Sequence, residues 1–233
     1  MLFEDREDAG RKLAAALSRY EGKECVVLAL PRGGLPVGAA IAAKLHAPLD
    51  VLLVRKIGAR DNPELAVGAI VDGDKPIIVR NEEIMRLAGT TAAEFDATAK
   101  EELGEIERRR RIYMQGRAPV EVKGRVAIVV DDGIATGATM HAALKAVRQR
   151  GPKELVLAVP VAPDDALEIL RKEADQVVCL DTPEPFGAVG YFYRNFGQLT
   201  DDDVIALLTP AGDGAQAKEK SSRPQNSLQR GLP

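Results

Sequence analysis

Two adjacent aspartates, Asp131 and Asp132, end an apolar segment and precede a loop of small residues that runs to Thr139. Glycine, alanine and threonine let backbone N–H groups approach an anion closely, and the start of a following helix supplies further donors. An ordinary strand-to-helix turn with an aspartate cap is the alternative, but it gives no reason for two neighbouring carboxylates. The pattern therefore indicates a site for a phosphorylated ligand that also carries hydroxyl groups or a metal ion.

Two other polar segments also close apolar runs. They are residues 30–34, Leu-Pro-Arg-Gly-Gly, and residues 54–58, Val-Arg-Lys-Ile-Gly. Glycines directly after a strand free backbone N–H groups to turn towards an anion, and Arg32, Arg55 and Lys56 add positive charge. Taken alone, the first segment is also typical of a surface turn and the second of a solvated strand end.

Several other kinds of site are excluded because their motifs are missing. No Gly-Lys-Ser/Thr sequence ends the loop after Asp132, and no Gly-x-Gly-x-x-Gly follows an apolar run. The sequence therefore carries neither a Walker-type nor a dinucleotide-binding loop. His46 and His141 are isolated from other metal-ligand residues, which argues against a zinc site. There is also no Cys–His or Ser–His–Asp pattern to support a nucleophilic hydrolase.

Apolar runs alternate along the chain with segments of helical spacing. The predicted strands span residues 25–30, 49–54, 76–79, 125–130, 155–159 and 176–180. The predicted helices span residues 5–20, 36–45, 139–150, 163–174 and 201–208. This alternation predicts an α/β fold with a parallel sheet, whose ligand site lies at the carboxyl ends of the strands. The three polar segments should therefore meet at one edge of the sheet.

Two further predicted helices, at 81–89 and 91–113, interrupt this alternation. The predicted organisation is a core of residues 1–79 and 118–208, a helical insert at 80–117, and a disordered tail at 209–233. Residues 58–73 are rich in turn formers around one short apolar run, which predicts a long loop with β character. The run Arg108–Arg111 is expected to form a solvated helix face, with an RNA or protein contact as the alternative.

The composition restricts the binding partners and the cellular location that this protein can have. The 233 residues include 32 basic and 35 acidic side chains, a formal charge of −3, which argues against a nucleic-acid partner or an anionic membrane. No apolar run approaches the ~18 residues of a membrane span, and the charged N-terminus does not resemble a signal peptide. Cys25 and Cys179 lie in apolar runs and are expected to be buried thiols. We expect a soluble, cytoplasmic protein with no membrane partner.

The segment from Val129 to Thr139 resembles the binding motif for phosphoribosyl diphosphate (PRPP) of the type I phosphoribosyltransferases. That motif is an apolar strand, two acids, a short hydrophobic spacer and a Thr-Gly-x-Thr sequence or a close variant. The resemblance extends in strand order over most of residues 20–182, apart from the insert. It implies the parallel-sheet type I phosphoribosyltransferase fold, here with a small helical insert and a C-terminal hood at about residues 181–200.

The resemblance implies a role for each polar segment. It implies catalytic roles for four charged residues, Asp131, Asp132, Arg55 and Lys56. The two aspartates are expected to bind the ribose 2′- and 3′-hydroxyls. It also implies two PRPP-binding loops. The loop for the diphosphate contains Arg32, Gly33 and Gly34, and the loop for the 5′-phosphate contains Ala135, Thr136, Gly137, Ala138 and Thr139. The 58–73 segment is expected to act as a lid. Mg²⁺ is the expected cofactor, held mainly by PRPP, with Asp131 and Asp132 as candidate protein ligands.

Five of the nine aromatic residues (five Phe and four Tyr in all) fall between Phe186 and Phe196. In such enzymes a hood over the sheet edge binds the nucleobase. The candidate acceptor-binding residues are Phe186, Tyr191 and Tyr193, by stacking, and Glu184, by a hydrogen bond. Phe192 and Phe196 are expected to pack the hood onto the core. Relatives that use 6-oxopurines commonly carry an acid where this chain has Ala135, which argues against a hypoxanthine–guanine enzyme.

The leading hypothesis is a phosphoribosyltransferase that joins the ribosyl group of PRPP to a nucleobase-like acceptor and releases pyrophosphate, assisted by Mg²⁺. The alternatives are a PRPP-sensing regulator with little or no turnover and a PRPP-dependent enzyme whose acceptor is not a base. The intact basic residues and the long lid favour the enzyme. Because relatives often supply basic groups across a dimer interface, we expect a homodimer whose partners are PRPP and a nucleobase-like small molecule.

Overall fold

Eight strands and seven α-helices make up the part of the chain that the computed structural model describes, residues 1–73 and 76–209. The strands are β1 (Cys25–Ala29), β2 (Leu49–Val51), β3 (Val54–Ala59), β4 (Asn62–Val71), β5 (Ile77–Arg80), β6 (Val126–Val130), β7 (Glu154–Val161) and β8 (Gln176–Asp181). The helices are α1 (Arg6–Ala16), α2 (Gly34–Leu45), α3 (Glu82–Leu87), α4 (Ala92–Met114), α5 (Ala138–Gln149), α6 (Asp164–Leu170) and α7 (Asp201–Leu208). The α/β class predicted from the sequence is confirmed.

A five-stranded parallel sheet in the order β2-β1-β6-β7-β8 forms the centre of the protein. β1 and β6 are buried along their whole length, as their continuous apolar sequences predict. Alternate side chains face opposite layers. Val27 and Ile128 pack with α1 and α2, whereas Val26 and Val129 pack with α5 and α6. The sheet is thus covered on both faces, which leaves its carboxyl edge for a ligand.

β3, β4 and β5 form a second sheet, which is antiparallel. Helix α4 packs on this sheet, because its residues Phe95 and Ile106 share an apolar cluster with Ile57 of β3 and Ile70 of β4. Helix α7 joins the same cluster through Val204. The antiparallel sheet, α4 and α7 therefore form one packed unit.

Residues 58–73 have the predicted β character, but most of them form the regular β3–β4 hairpin rather than a long loop. The cause is tertiary packing. Val67 and Ile70 are buried in the cluster that contains α4, and β5 gives β4 a second strand partner. Turn-forming residues in the local sequence do not reveal such partners. The predicted strand at 49–54 is also divided, because β2 ends at Val51 and β3 then enters the second sheet.

The two helices predicted for the insert are present as α3 and α4, and side chains cap both of them. Asn81 caps α3, since its Oδ1 accepts a hydrogen bond from Ile84 N (3.1 Å). Thr91 forms a capping box with Glu94 at the start of α4. These caps explain why both helices can be located from the sequence.

The division into a core and a helical insert at 80–117 stays a prediction. Helix α4 belongs to the predicted insert, but it packs on β3 and β4, which belong to the predicted core. The tail predicted at 209–233 lies, except for Thr209, outside the described residues. Across residues 1–73 and 76–209, no helix is both long and apolar enough to cross a bilayer. Both cysteines in that part of the chain are free thiols, Cys25 buried and Cys179 partly buried.

Candidate active site

The ends of β1 and β6 lie side by side and bring two polar segments together. The parallel register pairs Ala29 with Val130, and Leu30 N donates a hydrogen bond to the Val130 carbonyl oxygen (2.9 Å). The chain continues from one strand into residues 31–34 and from the other into residues 131–132. Adjacent parallel strands place both segments at the same edge of the sheet.

Gly33 lies against the Asp132 carboxylate. A Cβ atom added to Gly33 would lie 2.0 Å from Asp132 Oδ2, and one added to Gly34 would lie 2.8 Å from the Val130 carbonyl oxygen. Any other side chain at position 33 would displace either the carboxylate or the loop. The glycines are therefore needed because the loop approaches the acids so closely.

Asp131 is the more enclosed carboxyl of the acid pair. Its Oδ1 accepts a hydrogen bond from the Asp132 backbone N–H (2.8 Å). Burial raises the pKa of Asp131 well above its ordinary value, and the neighbouring negative charge of Asp132 raises it further. Asp131 therefore binds a proton more tightly than a solvent-exposed aspartate does, until a cation or ligand compensates its charge.

Arg6, in the first turn of α1, supplies the cation that faces Asp132. Its Nε donates to Asp132 Oδ2 (2.7 Å), and its Nη1 donates to the Gly197 carbonyl oxygen (2.8 Å). The guanidinium carbon lies 3.8 Å from the centroid of the Phe196 ring, a cation–π contact. Because only 12% of the Arg6 side chain is exposed, solvent screens this ion pair less than a surface pair.

Tyr193 supports the acid pair through the backbone. Its hydroxyl donates to the Asp132 carbonyl oxygen (2.6 Å), and its buried ring packs against Phe3 and Phe196 at centroid distances of 5.4 and 5.0 Å. Burial, and secondarily the Asp132 charge, raises the pKa of Tyr193 above its ordinary value. A ring enclosed in this way argues against the stacking role predicted for Tyr193 and indicates a packing role instead.

The other predicted acceptor-binding residues are less enclosed. Phe186 packs against Phe192 with ring centroids 5.2 Å apart, Tyr191 is 77% exposed, and Glu184 is also exposed. Phe196, expected only to pack the hood onto the core, instead borders the cavity that contains Asp132. The sequence therefore locates the aromatic cluster, but it does not distinguish the ring at the site from the rings behind it.

The predicted phosphate-binding segment from Ala135 to Thr139 ends in the first turn of α5, which begins at Ala138. Gly137 has φ +76°, in the left-handed region that favours glycine, and it precedes the first helical residue. Ala135, Thr136 and Ala138 are exposed. The first N–H groups of a helix have no partners within it, and they carry partial positive charge. This loop is therefore suited to an anion, as its composition predicts.

Arg32 is held by α7 and the residues before it. Its Nε donates to Asp201 Oδ1 (3.1 Å), and its Nη1 donates to the Leu199 carbonyl oxygen (2.9 Å). Asp201 Oδ1 also accepts a hydrogen bond from the Tyr113 hydroxyl (2.6 Å). The Tyr113 hydrogen bond, and then the Arg32 charge, lowers the pKa of Asp201. Through Asp201, the proposed diphosphate loop is connected to helix α4.

Arg55 and Lys56 are neighbours in β3 and have different surroundings, because successive strand residues point in opposite directions. Arg55 Nε donates to Glu102 Oε2 (2.5 Å), and Arg55 borders a small cavity together with Pro31 and Thr139. Lys56 is exposed and borders a separate cavity of about 400 Å³ beside α5. Arg55 is therefore the member of this pair that lies beside both predicted phosphate loops.

A cavity of about 550 Å³ opens at this edge of the sheet, and we call it the arginine-lined cavity. It is bordered by Arg6, Arg32, Gly33, Arg109, Asp132, Phe196 and residues 197–199. Arg109 belongs to the four-arginine run, for which a solvated face is the sequence-based expectation. That expectation is wrong for two of the four, because Arg109 borders this cavity and Arg110 Nη1 donates to Asp72 Oδ1 (2.6 Å).

Comparison with known proteins identifies the family. Residues 3–193 match the family model described as the phosphoribosyl transferase domain. The chain belongs to this family. The matched residues include Arg6, both loops and the acid pair, so the family match and the site geometry concern the same part of the chain.

Individual relatives agree with membership of the phosphoribosyl transferase domain family. The crystal structure of TT1426 from Thermus thermophilus has a TM-score of 0.79 at 43% identity, covering 89% of this chain and 98% of that one. A Mycobacterium tuberculosis protein with the provisional name phosphoribosyl transferase Rv0571c is 50% identical over 210 residues, 90% of this chain and 47% of the relative. A Pyrococcus furiosus ribose-phosphate pyrophosphokinase is 26% identical over 143 residues, 60% of this chain and 48% of the relative. This chain spans about half the length of these curated relatives.

The acid pair of this phosphoribosyl transferase domain offers two carboxylates to a cation. Among the residues that the structure describes, no group of three or more His, Cys, Asp or Glu side chains is placed to hold a metal ion. Two adjacent carboxylates fit a Mg²⁺ ion that takes most of its oxygen ligands from a phosphorylated molecule. They do not fit a metal ion enclosed by protein ligands alone.

Three charged residues at the site are missed by sequence reasoning: Arg6, Arg109 and Asp201. Arg6 and Asp201 each lie in the first turn of a helix, where a charged residue is ordinary whether or not it contacts a site. For Arg109 a signal exists. Four consecutive helical residues span about 300° at 3.6 residues per turn, so they cannot all face solvent when the helix packs on a sheet.

Proposed function

We propose that this protein transfers the 5-phosphoribosyl group of PRPP to a nucleobase-like acceptor and releases pyrophosphate. The observation that carries the proposal is the contact between Gly33 and the Asp132 carboxylate, which places the proposed diphosphate loop against the proposed ribose acids. PRPP carries its diphosphate on C1 and its hydroxyls on C2 and C3 of the same ring, so its site needs these two elements adjacent. Membership of the family supports phosphoribosyl transfer in general.

Each site segment has a role in this proposal. Residues 131–132 accept hydrogen bonds from the ribose 2′- and 3′-hydroxyls, and residues 135–139 bind the 5′-phosphate through backbone N–H groups and hydroxyls. Residues 32–34 bind the diphosphate together with Arg55, and Lys56, which borders a separate cavity, stays a candidate for the same role. The position of Arg55 beside Pro31 and Thr139 supports its assignment to the diphosphate.

The reaction breaks the bond between ribose C1 and a diphosphate oxygen and forms a bond between C1 and an acceptor nitrogen, which loses its proton. Positive charge develops on the ribose ring and negative charge on the departing pyrophosphate. The carboxylates beside the ring stabilise the positive charge on the ribose, and Arg32 and Arg55 stabilise the negative charge on the pyrophosphate. Mg²⁺, when bound through PRPP oxygens, would neutralise part of the diphosphate charge.

The acceptor belongs on the side of the ribose that the hood segment borders. Phe186 and Tyr191 remain candidates for stacking on a base, and Glu184 remains a candidate for accepting a hydrogen bond from a base N–H. The structure suggests adding Phe196 to this group, because it borders the arginine-lined cavity, and removing Tyr193, because its ring is buried. A homodimer and a cytoplasmic location also stay part of the proposal.

Calorimetric titration of PRPP in the presence of Mg²⁺ tests the proposal. The variant Asp131→Asn with Asp132→Asn should bind PRPP at least about 100-fold more weakly, because two charge-assisted contacts are lost. Asp164→Asn with Asp165→Asn is a matched control, since these aspartates are also adjacent and also lie where a strand gives way to a helix. The control should bind PRPP like the wild type. Near wild-type affinity in the Asp131 and Asp132 variant would show that the acids do not bind PRPP.

A further inference from the structure

Arg109 faces the candidate site from helix α4. It borders the arginine-lined cavity, and it also borders the smaller cavity that Pro31, Arg55 and Thr139 line. It therefore lies between the segment proposed to bind the diphosphate and the loop proposed to bind the 5′-phosphate. No other residue of α4 except Ile106 borders either of these two cavities, so Arg109 is the cation that the helix directs to them.

Comparison with Arg108 shows that this placement is specific to one position. The Nε atoms of both arginines donate to Glu105, at 2.7 Å from Arg108 and 2.8 Å from Arg109. The Arg108 side chain is 52% exposed, whereas the Arg109 side chain is 30% exposed. The two residues thus share one acidic partner, but only Arg109 also borders the cavities beside the proposed phosphate loops.

Glu105 is the shared acidic partner of Arg108 and Arg109 on this face of α4. Hydrogen bonds from Arg108, and then from Arg109, lower the pKa of Glu105 to about 2, so this carboxyl is ionised at neutral pH. One carboxylate therefore serves two guanidinium groups, which leaves one positive charge uncompensated within the trio. Arg6 and Arg32, which also border the arginine-lined cavity, each pair with a carboxylate of their own, Asp132 and Asp201, whereas Arg109 shares Glu105 with Arg108.

We propose that Arg109 binds the diphosphate group of PRPP, so that the helical insert supplies a cation to the leaving-group side of the site. This inference rests on the proposed function. A guanidinium group presents paired N–H donors that match phosphate oxygens, and the hydrogen bond to Glu105 fixes its orientation. As the bond between C1 and the diphosphate oxygen breaks, Arg109 stabilises the negative charge that grows on the pyrophosphate.

The test compares Arg109→Met with the matched control Arg108→Met, because each variant removes one of the two arginine partners of Glu105. Calorimetry measures the binding of inorganic pyrophosphate with Mg²⁺, and thermal unfolding checks that both variants fold. Loss of a charge-assisted contact predicts that Arg109→Met binds pyrophosphate about tenfold more weakly or worse, while Arg108→Met stays within about twofold of the wild type. The KM for PRPP should rise in the same variant only.

Two results would overturn the inference. Wild-type pyrophosphate affinity in Arg109→Met shows that Arg109 does not bind the diphosphate, and an equal loss in both variants shows that only the pairing with Glu105 matters. If Arg109→Met does not fold, Arg109→Lys decides the question, because lysine keeps the charge but loses the paired donors. Weaker pyrophosphate binding by Arg109→Lys supports the inference, and unchanged binding overturns it.

The same experiment separates this inference from the proposed function. A wild-type protein that binds neither PRPP nor pyrophosphate contradicts the proposed function, and the inference falls with it. A wild-type protein that binds PRPP, together with an Arg109→Met variant that binds pyrophosphate equally well, contradicts the role of Arg109 alone.

Discussion

Arg6 Nε donates to Asp132 Oδ2 across 2.7 Å, although the two residues lie 126 positions apart in the chain. Backbone hydrogen bonds hold the N-terminal segment in place for this contact. Phe3 N donates to the Phe192 carbonyl oxygen (2.8 Å), and Arg194 N donates to the Phe3 carbonyl oxygen (2.9 Å). The N-terminal segment, the hood segment and the acid pair are therefore connected. A ligand that binds Asp132 must share this carboxylate with Arg6 or displace the arginine.

Replacing Arg6 by methionine should move the pH dependence of PRPP binding. The positive charge of Arg6 acts against the raised pKa of Asp131, so its removal should raise that pKa further. The ionised form of Asp131 is the one proposed to accept the ribose hydroxyls. As the pH is lowered, PRPP affinity should therefore begin to fall at a higher pH in Arg6→Met than in the wild type, which calorimetry over a pH series measures.

Arg11→Met is the control for this prediction. Arg11 lies on the same helix, and 64% of its side chain is exposed to solvent. This variant should keep the wild-type pH midpoint for PRPP binding. A midpoint that is identical in Arg6→Met and the wild type would contradict the coupling between Arg6 and Asp131.

Gly33→Ala should weaken PRPP binding without unfolding the protein. The new methyl group would lie 2.0 Å from Asp132 Oδ2, so the carboxylate or the loop must move. A displacement on the scale of an ångström in a binding site costs about tenfold or more in affinity or rate. Gly104→Ala is the control, because a Cβ at that position of α4 meets no atom within 4 Å. Equal PRPP affinities in the two variants would contradict the close packing of the loop on the acids.

Part of this architecture can be predicted from the sequence for physical reasons. β1 and β6 are buried on both faces, and a continuous apolar run such as Val126–Val130 is typical of such strands. Helix α4 can be located because Thr91 and Glu94 form its capping box. Once the strands are known, their carboxyl ends predict where the acids and loops meet.

The remaining features depend on partners that lie far away in the chain. Arg6 contacts a residue 126 positions away, and Arg32 contacts Asp201, 169 positions away. No local pattern records such a pairing, because the sequence around Arg6 is that of any charged helix start. The β3–β4 hairpin has the same explanation, since its strands are stabilised by α4 and β5 rather than by their own turn residues.

Asp131→Asn should stabilise the fold at alkaline pH while it weakens PRPP binding. Because burial raises the pKa of Asp131 in the folded state, the folded protein binds this proton more tightly than the unfolded chain. The resulting cost to stability is present above the folded-state pKa and absent below the unfolded-state value of about 3.9. Asparagine avoids the cost and keeps the carbonyl oxygen that accepts the Asp132 N–H.

Thermal unfolding at two pH values measures this effect. The melting temperature of Asp131→Asn should exceed that of the wild type at about pH 9, and the difference should disappear near the unfolded-state pKa of an aspartate, about 3.9. A variant that melts below the wild type at the alkaline pH would show that the ionised carboxylate stabilises the fold.

Tyr193→Phe should lower the free energy of unfolding by about 1 kcal/mol, because the Asp132 carbonyl oxygen loses a partly buried hydrogen-bond donor. Tyr191→Phe removes the same atom from a side chain that is 77% exposed, and it should change the free energy of unfolding by no more than about 0.5 kcal/mol. Urea unfolding measures both variants. An equal effect at the two positions would contradict the supporting role of Tyr193.

Pyrophosphate release from PRPP is the measurement that tests the central claim most directly. The assay contains Mg²⁺ and a panel of nucleobases, and it compares the wild type with the Asp131→Asn, Asp132→Asn variant. We predict release that depends on one acceptor of the panel and that is lost in the variant. Tight PRPP binding by the wild type without acceptor-dependent release for any base would contradict the transferase account and would favour a PRPP sensor or a different acceptor class.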